Sequence, residues 1–261
     1  MDEAVRRTLL DLNRIFYVST AHEFSATRQQ PWPGFDGILP YIPVGTKSRP
    51  IRVLDVGCGN GRFASYLADQ GLAVDYTGVD ASPELLDLAR SRTGDFAGVS
   101  TTYQQGDLAN PEWSMGLTIG GLYDLVSCFA TFHHLPGIDL RQRVLADLAR
   151  FTAGHGIIAI SYWQFLSAER FQAKLADWSE IGLTADQVDP GDALLPWKRG
   201  PYILRYVHQI EEAEARDLAA AAHLPILHTF RADGKEGDLN LYHVLGAGHT
   251  MHNAQLTMHN G

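Results

Sequence analysis

The feature that most constrains this fold is a regular alternation of two patterns after residue 51. Short apolar runs rich in β-branched residues, typical of buried strands, alternate with stretches of helical periodicity. Strands that alternate with helices predict a mostly parallel, doubly wound α/β sheet. The predicted strands are IRVLDV (51–56), VDYTGVD (74–80), VSTTYQQGD (99–107), LYDLVSCFA (122–130) and GIIAISYW (156–163), and the predicted helices are 61–71, 82–92 and 140–151.

Both ends of the chain depart from this alternation. MDEAVRRTLLDLNRIF has the spacing of an amphipathic helix, and residues 164–205 are expected to be helical and then rich in loops. A helix at 211–224 precedes two strands, 225–234 and 238–247, which are expected to form an antiparallel hairpin at the sheet edge. We therefore predict one domain over 1–246, with an N-terminal extension or lid at 1–48, a substrate-side insertion at 164–205 and a disordered tail at 247–261.

Charge and apolar content narrow the classes of partner. The chain has 21 Lys plus Arg against 30 Asp plus Glu, and this net charge of −9 argues against indiscriminate binding of nucleic acid. No apolar run is long enough to span a bilayer, and the first residues lack the pattern of a signal peptide. We expect no membrane contact and a cytoplasmic setting, in which Cys58 and Cys128 are free thiols.

A glycine-rich turn follows the first predicted strand. In VLDVGCGNGRF the spacing is G-x-G-x-G, which differs from the G-x-G-x-x-G turn that cradles a pyrophosphate. Asp55, just before this turn, suits a ligand that carries positive charge. Asp80 ends the second strand, where a carboxylate can accept both ribose hydroxyls, and Asp107 ends the third, where one can accept an adenine amino group. The structural alternatives are a solvated loop residue at Asp80 and a helix N-cap at Asp107.

Together these residues resemble the motifs of the class I S-adenosylmethionine (SAM)-dependent methyltransferases. The resemblance covers about residues 51–163, and it implies a seven-stranded, Rossmann-like sheet with a reversed final hairpin. It also implies SAM as the cofactor, S-adenosyl-L-homocysteine (SAH) as the product, and no metal. The residues assigned to the cofactor are Asp55, Gly57, Cys58, Gly59, Gly61, Asp80, Ala81, Asp107, Leu108 and Phe129.

A pair of histidines follows the fourth predicted strand, in CFATFHHLP. Ligands of such sheets bind beyond the carboxyl ends of the strands, so Phe132, His133 and His134 are expected to face the donor methyl. Adjacent histidines are too close together to be two ligands of one metal, and no third ligand is near. One of them is expected to contact the acceptor by a hydrogen bond or a proton transfer, and at least one to cap the following helix.

Three further segments narrow the resemblance: FSATRQQPWP (24–33), GDALLPWK (191–198) and LRYVHQIEEAE (204–214). With Trp163 in ISYWQF, they resemble segments of the tRNA wobble-uridine carboxyl methyltransferases, which esterify 5-carboxymethyluridine. This resemblance spans about residues 10–215, and it implies an acceptor in the anticodon loop of tRNA. Members of that family also use a small zinc-binding activator protein, which makes such a protein a candidate partner.

The chemistry of that acceptor agrees with these residue types. A carboxylate is already an anion at pH 7, so its methylation requires no general base. It does require cations that hold it, and a guanidinium binds a carboxylate or phosphate through paired hydrogen bonds. Aromatic side chains stack on splayed bases of single-stranded RNA. We assign Arg28, His133, His134 and Arg205 to catalysis, and Trp32, Trp197 and Tyr206 to base stacking.

Alternatives stay open at the level of the sequence. A methyltransferase for a small-molecule carboxylate or hydroxyl suits the acidic chain, and a catalytically silent SAM-binding subunit would need no histidine pair. For single residues, the alternatives are that Trp32 and Trp197 pack in a lid, and that Arg205 pairs with Glu211 or Glu212.

Overall fold

The computed structural model describes residues 1–94, 96, 98–117, 123–198 and 202–248, and its centre is a seven-stranded sheet. The strands of this sheet are β1 (Ile51–Val56), β2 (Val74–Asp80), β3 (Val99–Gln105), β4 (Tyr123–Phe129), β5 (Thr152–Trp163), β8 (Ile226–Ala232) and β9 (Asn240–Gly246). A second, two-stranded sheet consists of β6 (Asp192–Trp197) and β7 (Ile203–His208). The helices are α1 (Glu3–Ala26), α2 (Arg62–Asp69), α3 (Pro83–Thr93), α4 (Ile138–Phe151), α5 (Glu169–Gln172) and α6 (Glu212–Ala221).

The order of strands in the large sheet is β3-β2-β1-β4-β5-β9-β8. The first five strands are parallel, and β9 runs antiparallel between β5 and β8. The predicted doubly wound sheet with a reversed C-terminal hairpin is therefore confirmed. Because the strand order reverses between β1 and β4, ligands are expected at the carboxyl ends of these strands.

Alternate residues of β1 enter two hydrophobic cores, one on each face of the sheet. Leu54 and Val56 belong to the core that α4 and α6 cover, whereas Ile51 and Val53 belong to the core beneath α2. All four side chains are at most 2% exposed. A strand that is buried on both faces has a nearly continuous apolar sequence, which explains why the bounds predicted for β1 match the observed ones.

Some boundaries in the large sheet differ from the predicted ones. The fifth strand begins at Thr152, four residues before the predicted start, because Thr152 pairs with Tyr123. The register shifts between Tyr123 and Leu125, and this irregularity conceals the start of the strand in the sequence. Helix α4 begins two residues early, at Ile138, and α2 is shorter than 61–71 at both ends.

The N-terminal segment and the insertion differ most from their predictions. Helix α1 continues to Ala26, so it includes the start of FSATRQQPWP. The insertion 164–205 contains β6, and its predicted end lies inside β7. Pro196 is typical of a turn and hides this strand, but it is tolerated because β6 has only one neighbouring strand.

A buried cluster of charged side chains joins the small sheet to the helices of the large one. His208 Nδ1 lies 2.7 Å from Asp192 Oδ1, and its Nε2 lies 2.9 Å from Glu214 Oε2. Arg141 of α4 completes the cluster, with its Nε 2.8 Å from Glu214. Although burial lowers it, the hydrogen bonds to the two carboxylates raise the pKa of His208 above its usual value. This ion cluster anchors the strand that carries Arg205.

Two sequence predictions concern the tail and the membrane. From residue 249 onward the predicted tail, with its Thr-Met-His-Asn repeats at 250–253 and 257–260, lies outside the described residues. Within the described part of the chain, no helix has both the length and the apolar character needed to cross a bilayer.

The turn after β1 requires glycine at its first position. Gly57 has a φ of +76°, in the left-handed region that side chains disfavour. A Cβ added there would lie 2.0 Å from Thr131 Oγ1, on the loop that follows β4. The turn therefore depends both on backbone conformation and on close approach of a second loop.

We predict that Gly57→Ala lowers the free energy of unfolding by about 2–4 kcal/mol, from left-handed strain and steric overlap. Gly154→Ala is the matched control, because nothing lies within 4 Å of a Cβ added at that exposed glycine of β5. Urea denaturation of both variants measures the difference. Equal stability of the two variants would contradict the steric argument.

Candidate active site

A cavity of about 920 Å³ lies at the carboxyl ends of β1, β2, β4 and β5. Helix α1 and the small sheet contribute the wall that faces the large sheet. The sequence-assigned residues that line it are Arg28, Trp32, Asp55, Gly57, Cys58, Gly59, Asp80, Ala81, Asp107, Leu108, Phe129, His133, His134, Trp197 and Arg205. Of the assigned residues, Gly61 and Tyr206 do not line this cavity.

Asp80 connects the glycine turn to the end of β2. Its Oδ2 accepts a hydrogen bond from the Gly59 amide at 2.8 Å, and its Oδ1 accepts one from the Ser82 amide at 2.9 Å. Burial raises the pKa of Asp80, although the hydrogen bonds from these amides lower it. Asp80 is therefore not a solvated loop residue, and each of its oxygens keeps a lone pair for a further donor.

Asp55 lies at the base of the cavity and is 2% exposed. Tyr76 donates to its Oδ2 at 2.5 Å, and Ser127 donates to its Oδ1 at 2.7 Å. Burial raises the pKa of Asp55 to about 6, although both hydrogen bonds lower it. The residue is an anion at neutral pH, and it favours a cationic group in the adjacent cavity.

Asp107 has partners that the sequence did not reveal. Arg14 of α1 donates to its Oδ2 through Nε at 2.9 Å and Nη2 at 2.7 Å. Its Oδ1 accepts from the Ala109 amide at 2.9 Å, but a turn follows rather than a helix, so Asp107 is not the helix N-cap considered as an alternative. Asp107 thus links the loop after β3 to α1 at the edge of the cavity, and both of its carboxylate oxygens already accept hydrogen bonds.

The segment after α1 is fixed directly to the glycine turn. Asn60 donates to Ser25 Oγ at 2.8 Å and to the Arg28 carbonyl at 3.3 Å. The Arg28 guanidinium stacks on Phe24 with 3.4 Å between Cζ and the ring centroid, and it donates to Thr27 Oγ1 at 2.6 Å. The helix end therefore holds a cation in the cavity wall beside the turn.

Arg205 is a second cation in this wall, and it is 9% exposed. Its Cζ lies 5.2 Å from the Phe16 ring centroid and 5.0 Å from that of Trp163. Burial lowers its pKa, and the nearby Tyr17 opposes this shift. Within the described ranges it forms no ion pair, so the alternative of pairing with Glu211 or Glu212 is wrong.

His134 uses both ring nitrogens inside the protein. Its Nδ1 lies 3.1 Å from the Tyr206 carbonyl, which can only accept, so Nδ1 carries the proton. Its Nε2 then accepts from the Tyr17 hydroxyl at 2.7 Å. Burial, followed by the charge of Arg205, lowers the pKa of His134 to about 3. His134 is therefore a neutral structural residue whose nitrogens have protein partners.

His133 is also neutral, but its surroundings differ. It is 3% exposed and lines the cavity, with its ring centroid 5.5 Å from that of Trp163. Its Nδ1 is buried without a hydrogen-bond partner among the described residues. Burial, His134 and Arg205 lower its pKa well below the usual value. A base this weak is poorly suited to removing a proton from a hydroxyl group.

A left-handed residue brings both histidines to the cavity. Ala130, directly after β4, has a φ of +51° and donates its amide to Ser161 Oγ at 2.9 Å. The following 3-10 turn, Phe132–His134, then points back beneath α1. A non-glycine residue in this conformation is not predictable from the local sequence.

The three aromatic residues assigned to base stacking have different positions. Trp32 lines the cavity, and its ring packs 4.0 Å from Cζ of Arg62. Trp197 lines the cavity beside Phe16, at 5.8 Å between ring centroids. Tyr206 is fully buried, and its hydroxyl donates to Asp192 at 2.7 Å. The assignment of Tyr206 to stacking is wrong, because its side chain points away from the cavity.

Sequence reasoning missed the functional face of α1. The helix was predicted only as an amphipathic extension, yet polar and apolar residues at three- and four-residue spacing share its cavity side. This spacing was the available signal. The residues of α1 that line the cavity are Leu10, Asn13, Arg14, Tyr17, Val18 and Phe24.

Comparisons with known proteins identify the domain. Residues 53–156 match the family model described as a methyltransferase domain. The tRNA (carboxymethyluridine(34)-5-O)-methyltransferase alkbh8 of Xenopus tropicalis is 29% identical over 147 residues, 56% of this chain and 20% of that protein. The ubiquinone biosynthesis O-methyltransferase of Bordetella avium (strain 197N) is 34% identical over 99 residues, 38% of each protein. The matches thus span a fifth and about two fifths of these relatives.

A solved structure agrees in fold. It is the complex between the Haloferax volcanii Trm112 methyltransferase activator and a methyltransferase. The alignment has a TM-score of 0.61 at 18% identity and covers 90% of this chain and 97% of that chain.

In the described part of this chain, no cluster of three or more His, Cys, Asp or Glu could hold a metal ion. Residues 53–156 therefore match a methyltransferase domain, and the chain has the fold of solved SAM-dependent methyltransferases.

Proposed function

We propose that this protein transfers a methyl group from SAM to the carboxylate of a 5-carboxymethyl-type uridine at the wobble position of tRNA. The observation that carries the proposal is the charge arrangement of the cavity. Arg28 and Arg205 lie in one wall, and the two histidines beside them are held neutral. Such a site attracts an anionic acceptor, and neither of its two histidines is suited to act as a general base.

The residues present fit SAM at the carboxyl ends of β1 and β2. The glycine turn leaves open space above Gly59, where a Cβ would meet nothing within 4 Å. Asp80 would hold the ribose hydroxyls with its remaining lone pairs, and Asp55 would attract the positively charged part of the cofactor. When bound, SAM supplies an electrophilic methyl group on a sulfonium. The remaining assigned residues that line the cavity, Gly57, Cys58, Ala81, Asp107, Leu108 and Phe129, would shape this end of it.

The chain's own residues then have to orient the acceptor and exclude water. Arg205 would hold the carboxylate through paired hydrogen bonds, and the rings of Phe16 and Trp163 keep its guanidinium largely dry. Arg28 would contribute a second positive charge from the end of α1. Because a carboxylate is ionised at pH 7, these residues position a nucleophile that already exists.

Two aromatic side chains support a nucleobase as part of the acceptor. Trp32 and Trp197 line the cavity, and aromatic rings are the platforms on which splayed RNA bases stack. The similarity to a tRNA carboxymethyluridine methyltransferase supports the same acceptor, although it covers a fifth of that relative. The net charge of −9 means that contacts to tRNA would be local rather than spread over the surface.

A second candidate function is methylation of a small molecule. The similarity to a ubiquinone biosynthesis O-methyltransferase favours it, as does the acidic chain. The acceptor in that case would be a carboxylate or a hydroxyl, and a hydroxyl would require a base. A catalytically silent subunit is not favoured by any residue of the cavity.

The experiment that tests the proposal is methylation of tRNA bearing 5-carboxymethyluridine with labelled SAM, followed by digestion and nucleoside analysis. We expect the methyl ester of the modified uridine. The assay includes a Trm112-type activator in one arm, because a solved complex of similar fold contains this activator. Absence of the ester in every arm, with methylation of a quinol precursor instead, would overturn the tRNA proposal in favour of the second candidate.

Asp80→Ala is predicted to weaken SAH binding by at least about tenfold, because it removes a carboxylate that hydrogen-bonds the ligand. Asp75→Ala is the control, since Asp75 is an exposed acid on the same strand. Isothermal titration calorimetry measures both affinities, and thermal unfolding confirms that both variants fold. The cofactor assignment fails if the two variants bind SAH alike.

Arg205→Met is predicted to lower kcat/KM for the acceptor about tenfold to a hundredfold, while SAH affinity stays within about twofold. Methionine retains an apolar chain against the two rings but removes the charge. Arg28→Ala is expected to act in the same direction. Arg216→Met serves as the control, because Arg216 is an exposed partner of Glu212 far from the cavity lining. An unchanged kcat/KM in Arg205→Met would contradict the assigned role.

We also predict a flat pH profile of kcat/KM between pH 6.5 and 8.5. The pKa of His134 is lowered to about 3 and that of His133 is also lowered, so both stay neutral throughout this range. Asp55, whose pKa is raised to about 6, stays mainly ionised. Initial rates with labelled SAM measure the profile. A tenfold loss of rate per pH unit on acidification would instead indicate a general base.

A further inference from the structure

Arg62 is a further cation in the wall of the cavity. It is the first residue of α2, directly after the glycine turn, and its side chain lines the cavity in a partly buried position. Its Cζ lies 4.0 Å from the centroid of the Trp32 ring. Burial lowers the pKa of Arg62 to about 10, so the guanidinium stays charged at neutral pH. A charge withdrawn from water in this way requires an anion or hydrogen-bond acceptors.

The protein itself does not supply that partner within the part of the chain that the structure describes. Arg62 forms neither an ion pair nor a side-chain hydrogen bond among these residues, and its contact is with the ring of Trp32. Each carboxylate that lines the cavity accepts hydrogen bonds from other groups. These carboxylates belong to Asp55, Asp80, Asp107 and Asp233. The N–H groups of Arg62 are therefore available to a ligand.

Trp32 is held in place by the turn that follows it. The Gly34 amide donates to Asp233 Oδ1 at 2.8 Å, in the loop between β8 and β9. Asp233 Oδ2 in turn accepts from Asn240 at 2.8 Å and from Tyr242 at 2.5 Å. Because this buried network fixes the turn, the ring of Trp32 limits the positions open to the guanidinium beside it.

The cofactor has a charge that the acids of its site do not favour. The methionine portion of SAM carries an α-ammonium group and an α-carboxylate. Asp55 and Asp80, at the carboxyl ends of β1 and β2, favour the ammonium group and disfavour the carboxylate. An α-carboxylate bound near these acids therefore requires a cation close to the glycine turn.

Arg62 is the arginine that belongs to this part of the fold. Four arginines line the cavity within the described residues, and Arg14 among them is paired with Asp107. Arg28 follows α1 and Arg205 lies in β7, so both belong to elements that cover the large sheet. Arg62 instead begins α2, in the strand–turn–helix unit that carries the glycine turn.

We propose that Arg62 binds the α-carboxylate of SAM and makes the site selective for SAM over its decarboxylated form. The inference rests on SAM as the cofactor of the proposed function, and it does not depend on the acceptor. A guanidinium binds a carboxylate through two parallel N–H···O hydrogen bonds. A ligand without the carboxylate loses these bonds and leaves the charge of Arg62 unpaired.

The experiment compares two ligands that differ by one carboxylate. These are SAH and its decarboxylated analogue, in which a hydrogen atom replaces the α-carboxylate, and isothermal titration calorimetry measures both affinities. We expect the wild type to bind SAH at least about tenfold more tightly than the analogue. We expect Arg62→Met to reduce this preference about tenfold by weakening SAH, with the affinity for the analogue within about twofold of wild type.

Arg90→Met is the matched control, because Arg90 is exposed, pairs with Asp87 and lies outside the cavity lining. It is expected to bind both ligands as the wild type does. Arg62→Lys keeps the charge but not the paired geometry, so it is expected to retain part of the preference. Arg62→Gln has the same expected result as Arg62→Met and replaces it if that variant does not fold. Circular dichroism and thermal unfolding verify that each variant is folded.

The possible outcomes separate this inference from the function on which it rests. The inference is overturned if Arg62→Met weakens both ligands equally, which indicates a structural effect, or if it weakens neither. It is also overturned if the wild type binds the two ligands alike, or if Arg28→Met loses the preference while Arg62→Met keeps it. In all these cases SAH still binds to the wild type, so the cofactor of the proposed function stands. If the wild type binds neither ligand, the cofactor assignment itself fails.

Discussion

The wall of the cavity that faces the sheet depends on one buried polar contact. Asn13 of α1 accepts a hydrogen bond from the Tyr206 amide of β7 at 2.9 Å, and its own amide group faces the His134 carbonyl at 3.4 Å. Three segments from different parts of the chain meet at this side chain, which is 6% exposed. A buried amide left without a partner costs about 1–3 kcal/mol, so the contact strongly favours one arrangement of α1 and the small sheet. That arrangement places Tyr17 and Arg205 side by side in the cavity.

Some charges of the cavity come from the large sheet and others from the elements that cover it. Asp55 and Asp80 follow β1 and β2, where the topology of the sheet provides a ligand site. Arg28 and Arg205 come from α1 and the small sheet, which are additions to that sheet. In the proposed function, this division would separate a positively charged donor from a negatively charged acceptor. Burial, reinforced by the nearby guanidinium groups, keeps both histidines neutral.

The sequence predicts the sheet better than the parts that cover it. The strands β1 and β2 match their predicted bounds because apolar runs and a glycine turn are local signals. The two-stranded sheet was missed because Pro196, a residue typical of turns, interrupts a short strand. The candidate site is limited by packing that the sequence does not reveal. Asp80 is identifiable from its place after a strand, whereas the burial of Tyr206 and the contact of Tyr17 with His134 depend on tertiary packing.

In the proposed reaction the methyl group is transferred to a carboxylate, so the product is an ester. The most direct measurement is the fate of the transferred methyl group in mild alkali, after reaction with labelled SAM and tRNA bearing 5-carboxymethyluridine. An ester releases the label as volatile methanol, whereas an aryl ether or an N-methyl group retains it under the same conditions. We expect release of nearly all the label from the tRNA product. Label that stays on the acceptor after this treatment would rule out a carboxylate as the methylated group.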